Sequence, residues 1–116
     1  MPNGAGAAAE SAAQQYLERR GLLLLTRNFR ARTGEIDLVM RHNSALVFIE
    51  VRQRTNARYG GAAASVTPVK QQRIRRTALM FLQQNPCYRD MPCRFDVIAY
   101  SSAIADTDPD WFVNAF

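Results

Sequence analysis

Two cysteines, one histidine and one lysine are all that these 116 residues hold of those types. Cys87 and Cys93 are too few for a disulfide framework, and with only His42 to join them they make a poor zinc site. Both read as ordinary thiols. No apolar run approaches the ~18 residues of a membrane span, so no membrane partner is expected. The 47% hydrophobic content argues against intrinsic disorder. Residues 1–9 are rich in Gly and Ala, without a basic start or a strongly apolar stretch. They read as a flexible leader, not a signal peptide, and a cytoplasmic location follows as an expectation. Residues 10–116 are read as a single domain, long enough for one core.

Acid is also missing over a long stretch. Arg52, Arg54, Arg58, Lys70, Arg73, Arg75, Arg76 and Arg89 lie in a segment that contains no Asp or Glu until Asp90. A second basic group is Arg19, Arg20, Arg27, Arg30 and Arg32, whereas the tail is acidic at Asp106, Asp108 and Asp110. The net charge is +5. A one-signed block of this length suits a polyanionic partner, or else a solvated basic surface. Arginine suits bidentate phosphate contacts better than lysine does.

What is present is a pair of charged motifs, Gly34-Glu35-Ile36-Asp37-Leu38-Val39 and Phe48-Ile49-Glu50-Val51-Arg52. Both alternate apolar with charged residues, and His42-Asn43-Ser44 between them reads as a turn. A four-residue loop that sets Asp37 opposite Glu50 puts Ile36, Leu38, Met40, Val47, Ile49 and Val51 on one face. Glu35, Asp37, Glu50 and Arg52 then share the other. Carboxylates beside a cation on adjacent strands suit a hard divalent metal and a phosphodiester. The plain alternative is a solvated face with cross-strand ion pairs.

Around this hairpin, Glu10–Arg20 reads as a helix closed by Gly21, and Leu22–Asn28 as a strand whose Leu22–Leu25 run is buried. Thr55–Ser65 is a loop broken by Gly60-Gly61. Thr67-Pro68 opens a second helix, to about Gln84, with Lys70, Arg73 and Arg76 along an exposed face. Arg94–Tyr100 is a strand, and Trp111–Val113 adds a short terminal one. The fold class is α/β, in the order helix-strand-strand-strand-helix-strand. The strand after the second helix joins the mixed sheet in parallel.

Asp37 followed by Glu50-Val51-Arg52, on these elements, resembles the PD-(D/E)xK nuclease superfamily with its restriction-endonuclease-like core. Gly34–Leu38, Phe48–Arg54, Lys70–Arg73, Arg94–Val97 and the closing Asn114-Ala115-Phe116 are similar to the YraN family of small bacterial proteins. These are distantly like archaeal Holliday-junction resolvases. The resemblance implies a Mg²⁺- or Mn²⁺-dependent endonuclease acting on DNA, in preference to RNA, in branched or structured form. It implies Asp37 and Glu50 as metal ligands, joined by Glu10 from the first helix, with Glu35 assisting and the Val51 carbonyl in reach. It implies catalytic roles for Arg52 and Lys70 and nucleic-acid contacts from Arg54, Arg58, Lys70, Arg73 and Arg76. It also implies a homodimer, since a junction is two-fold symmetric.

Arg52 stands where the resemblance implies a lysine. Arginine stays protonated and cannot serve as a base. Three outcomes follow: Arg52 is a purely electrostatic helper, Lys70 reaches in from the second helix, or the site is retired and the chain is a non-catalytic nucleic-acid-binding adaptor. An interaction module that sets the arginine face against an acidic protein is a further reading.

Overall fold

The computed structural model describes residues 6–53, 66–100 and 108–116. Helix α1 spans Gly6–Glu18. Strands β1 (Leu23–Ala31), β2 (Gly34–His42) and β3 (Ala45–Gln53) follow. Helix α2 (Pro68–Gln84), a 3-10 turn at Pro86–Tyr88, β4 (Cys93–Tyr100) and β5 (Asp110–Phe112) complete the order. The loop expected at Thr55–Ser65 lies outside the described residues.

The class is α/β, as the element order implied. One five-stranded mixed sheet runs β1-β2-β3-β4-β5. Every pairing is antiparallel except β3 with β4, the step that α2 separates along the chain. Each face of the sheet buries one apolar cluster, which makes a layered core. Ala9, Ala13 and Leu17 of α1 pack with Leu38, Met40, Val47, Ile49 and Val51. Ile74, Ala78 and Phe81 of α2 pack with Ile36, Val39, Phe48 and Val97 on the other side.

Three expectations need correction. The helix begins at Gly6, so residues 6–9 are not leader. Alanine has the highest intrinsic helix propensity, and Ala9 is fully buried in the core. The Leu22–Leu25 run is not uniformly buried. Leu22 is buried, but Leu23 is 65% exposed because β1 is an edge strand. The hairpin loop is two residues, Asn43 and Ser44, and not four, since His42 already pairs with Ala45. Asn43 supplies the left-handed φ of +56° that so tight a turn requires.

The α2 start follows its sequence signal. Thr67 Oγ1 accepts from the Lys70 N–H at 3.3 Å, and Pro68 occupies the first turn, where no N–H is needed. At the other end the Asn85 N–H donates to the Phe81 carbonyl at 2.9 Å.

Strand β1 shifts register between Leu24 and Thr26, and a second break in the pleat positions the site. Five of the six apolar residues expected on one face lie in the α1 cluster, but Ile36 lies in the α2 cluster. The neighbouring strand does the same. Arg27 reaches Glu10 on α1, whereas Phe29, two residues on, packs edge-on against Phe81 of α2. Between them Asn28 has φ +52°. The register sets Arg27 opposite Leu38 and Phe29 opposite Ile36, so Asn28 faces Asp37. A left-handed residue reverses the side-chain alternation there, and β2 turns with it.

Candidate active site

Paired residues of β2 and β3 run from His42–Ala45 to Leu38–Ile49. One step further, in the same register, stand Asp37 and Glu50. Here the side chain of Asp37 takes over from the ladder. Its Oδ2 accepts the Val51 N–H at 2.8 Å. The Asp37 N–H in turn points to Glu50 Oε2 at 3.5 Å. Both carboxylates are buried, Asp37 completely.

Arg52 closes the group. Its Nη2 donates to Glu50 Oε1 at 3.1 Å, and its Nη1 donates to the Val51 carbonyl at 3.1 Å. Nη1 also lies 3.7 Å from Asp37 Oδ2. Alternation along β3 carries Glu50 and Arg52 on the side of Phe48, the α2 side. Two carboxylates and a carbonyl thus converge on a single guanidinium, itself buried.

Two carboxylates with one cation leave a charge to be settled. Glu50 settles it: burial, reinforced by the negative charge of Asp37, pushes its carboxyl up from 4.5 to about 8, and the Arg52 guanidinium only partly offsets this. The buried pair therefore holds on to a proton more readily than either acid would in water. A raised carboxyl beside a second carboxylate is a frequent mark of a functional site. The donors are hard oxygens, two acidic and one carbonyl, which is the chemistry Mg²⁺ and Mn²⁺ take. On that ground the residues fit a divalent ion.

The other expected site residues lie elsewhere. Glu10 is buried on α1, with its Oε1 3.5 Å from Arg27 Nη2 and its Oε2 without a hydrogen-bond partner among the described residues. Glu35 pairs with Arg30 at 3.0 Å. Among the described residues no three His, Cys, Asp or Glu side chains gather as a metal site, so neither Glu10 nor Glu35 joins Asp37 and Glu50 in one. Lys70, Arg73 and Arg76 are exposed on α2. Arg54 and Arg58 lie outside the described residues. Asp96 is fully buried but belongs to a different set: it accepts from Arg94 Nε at 3.2 Å, Trp111 Nε1 at 2.9 Å and the Asn114 N–H at 2.9 Å.

Sequence reasoning missed the link between the β1–β2 turn and α2. Thr33 and Thr77 share a hydroxyl hydrogen bond of 2.8 Å, and a side chain on Gly34 (φ +147°) would meet Thr77 Oγ1 at 3.3 Å. This contact seats the Thr33-Gly34 turn against the part of α2 that carries Arg73 and Thr77. Gly34 preceding Glu35 was the available signal.

The uncharacterised protein family UPF0102 has a family model that matches residues 9–100, a span that contains both charged motifs, α2 and β4. The chain belongs to the UPF0102 family. It is 49% identical to a UPF0102 protein of Klebsiella pneumoniae over 112 residues, covering 96% of this chain and 84% of that one. It is 45% identical to a UPF0102 protein of Pseudomonas putida over 116 residues, covering 99% and 94%. A UPF0102 protein of Yersinia enterocolitica is 50% identical over 108 residues, covering 92% and 89%. The YraN resemblance read from the motifs names the same family. Among the described residues of this UPF0102 chain, no helix is long and apolar enough to cross a membrane.

Proposed function

We infer that this UPF0102 protein binds nucleic acid and hydrolyses phosphodiester bonds with Mg²⁺ or Mn²⁺, on DNA of branched or structured form. The observation that carries this reading is the convergence of Asp37 Oδ2, Glu50 Oε1 and the Val51 carbonyl on one cationic position. Asp37, Glu50 and the Val51 carbonyl would hold the ion. Bound there, a divalent ion makes a water more acidic and offsets charge on a phosphate. The chain's own contribution is positional. The Val51 N–H fixes Asp37, and the Asp37 N–H orients Glu50. Lys70, Arg73 and Arg76 offer exposed cations for the flanking backbone. About five neutralised phosphates would give a log–log salt slope of roughly −4 to −5.

Arg52 supports a second reading. Its grip on both carboxylates is what a retired site in a nucleic-acid-binding adaptor would also show. The two are separated by incubating the protein with labelled linear duplex, single strand, flap and four-way junction, in Mg²⁺ and in Mn²⁺, beside Asp37→Asn and Glu50→Gln. Cutting that disappears in both variants supports the nuclease. Salt-sensitive binding without cutting, equal in all three, supports the adaptor. Weak binding even at low salt removes nucleic acid as the partner and favours an acidic protein.

A further inference from the structure

Arg52 lies close to three oxygens that a divalent ion at this site would take. Nη2 holds Glu50 Oε1 at 3.1 Å, while Nη1 holds the Val51 carbonyl at 3.1 Å and stands 3.7 Å from Asp37 Oδ2. The guanidinium and a metal ion therefore have one place between them. Only about a tenth of the Arg52 side chain is exposed, so it does not simply lie across the mouth of the site. It sits among these oxygens and donates to Glu50 Oε1 and the Val51 carbonyl.

We propose that Arg52 is a built-in counter-ion that occupies the cation position of the Asp37–Glu50 site, so that Mg²⁺ or Mn²⁺ binds only by expelling it. This rests on the metal reading of the site given above and adds how that site is closed. The physical reason is charge. Asp37 and Glu50 are buried together, and a cation between them offsets charge that protonation would otherwise have to remove. A guanidinium on a long, flexible side chain does this when no metal is present, and an arriving metal ion takes over the role as the guanidinium leaves. An arginine suits the part better than a lysine, because two nitrogens of one planar fork reach Glu50 and the Val51 carbonyl together. The cost falls on affinity: a site with a resident cation takes up metal more weakly than the same oxygens without one.

The test is Mn²⁺ alone, without nucleic acid, followed by electron paramagnetic resonance and by thermal melting of the full chain. Wild type, Arg52→Gln, Arg52→Lys and Asp37→Asn are compared. Arg52→Gln should bind Mn²⁺ at least about tenfold more tightly than wild type, since one opposing charge has left the site. It should also melt lower than wild type without metal and regain most of the loss in Mn²⁺, while wild type gains little. Arg52→Lys keeps a charge but cannot bridge the same acceptors, so it should bind Mn²⁺ more tightly than wild type and less tightly than Arg52→Gln. If Arg52→Gln does not fold without metal, the ranking of Arg52→Lys above wild type decides the matter. Equal affinity in wild type and the Arg52 variants, or weaker binding in them, overturns the proposal and leaves the metal site standing. Absence of Mn²⁺ binding at millimolar concentration in all of the proteins overturns the metal reading itself, and the proposal with it.

Discussion

The carboxylate of Asp37 accepts the backbone N–H of Val51 at 2.8 Å, just beyond the last paired position of β2 and β3, Leu38 with Ile49. A side chain has replaced a ladder carbonyl where the two strands part. Asp37 is thus both a structural acceptor and one of the two acids of the site, and its substitutions should separate these parts. Asp37→Ala leaves the Val51 N–H buried without an acceptor and Arg52 short of a counter-charge. It should lower stability by about 2–4 kcal/mol in urea unfolding. Asp37→Asn keeps an acceptor oxygen and should cost less than Asp37→Ala, while removing metal binding as completely.

Glu50 sets a pH dependence whose sign is fixed by its raised carboxyl. Its value is 4.5 when unperturbed and about 8 in the folded chain, chiefly through burial. Between these values the folded state holds a proton that the unfolded state has lost, so stability falls as pH rises. The contribution is whole below pH 4.5 and gone above about pH 8, a span worth at most a few kcal/mol. Glu50→Gln removes this dependence. The stability difference between Glu50→Gln and wild type, measured by denaturation from pH 4.5 to 8.5, should move steadily in favour of the variant. A divalent ion reverses the preference for the proton, so metal uptake should tighten with pH and release a proton, visible as a buffer-dependent heat.

The hairpin was the most legible part of the chain. Period-two alternation on either side of His42-Asn43-Ser44 places Asp37 next to Glu50, although the loop is two residues and not four. Thr67-Pro68 announced α2 equally well, because a cap and a fixed φ act within one turn of chain. The pleat reversal at Asn28 and Asp37 was not legible, since an asparagine with positive φ has the same letters around it as one without. Residues 6–9 were misread because Gly and Ala were taken together, although alanine favours helix and glycine opposes it. Arg52's dual grip needed the three-dimensional register, although the possibility of an ion pair with Asp37 or Glu50 followed from their proximity on the strands.

Glu10 and Arg27 form another ion pair with a buried acid, and one oxygen of Glu10 has no hydrogen-bond partner among the described residues. Arg27 is nearly a third exposed, which tempers the interaction. Arg27→Ala should still cost about 1–3 kcal/mol, because it leaves a buried carboxylate uncompensated. In the double variant Arg27→Ala with Glu10→Gln part of that loss should return. Thermal unfolding of the two singles and the double measures the coupling.

Asp96 ties the final residues to the sheet through Trp111 and Asn114. Trp111 is the single tryptophan of the chain, so its fluorescence reports this anchor alone. Asp96→Ala removes the acceptor of the indole N–H. The emission should shift to the red and the protein should lose about 2–3 kcal/mol, while Mn²⁺ affinity at Asp37 and Glu50 stays at the wild-type value.

The central claim is that Asp37, Glu50 and the Val51 carbonyl form a divalent-cation site in this UPF0102 protein. Its most direct test is the anomalous scattering of Mn²⁺ in crystals of the wild-type protein equilibrated with millimolar Mn²⁺. The account predicts a peak within coordination distance of those three oxygens, with the Arg52 guanidinium moved out of the position it otherwise fills. Crystals at the same Mn²⁺ concentration with Arg52 still bridging Glu50 and Val51, and no peak beside Asp37, would contradict it.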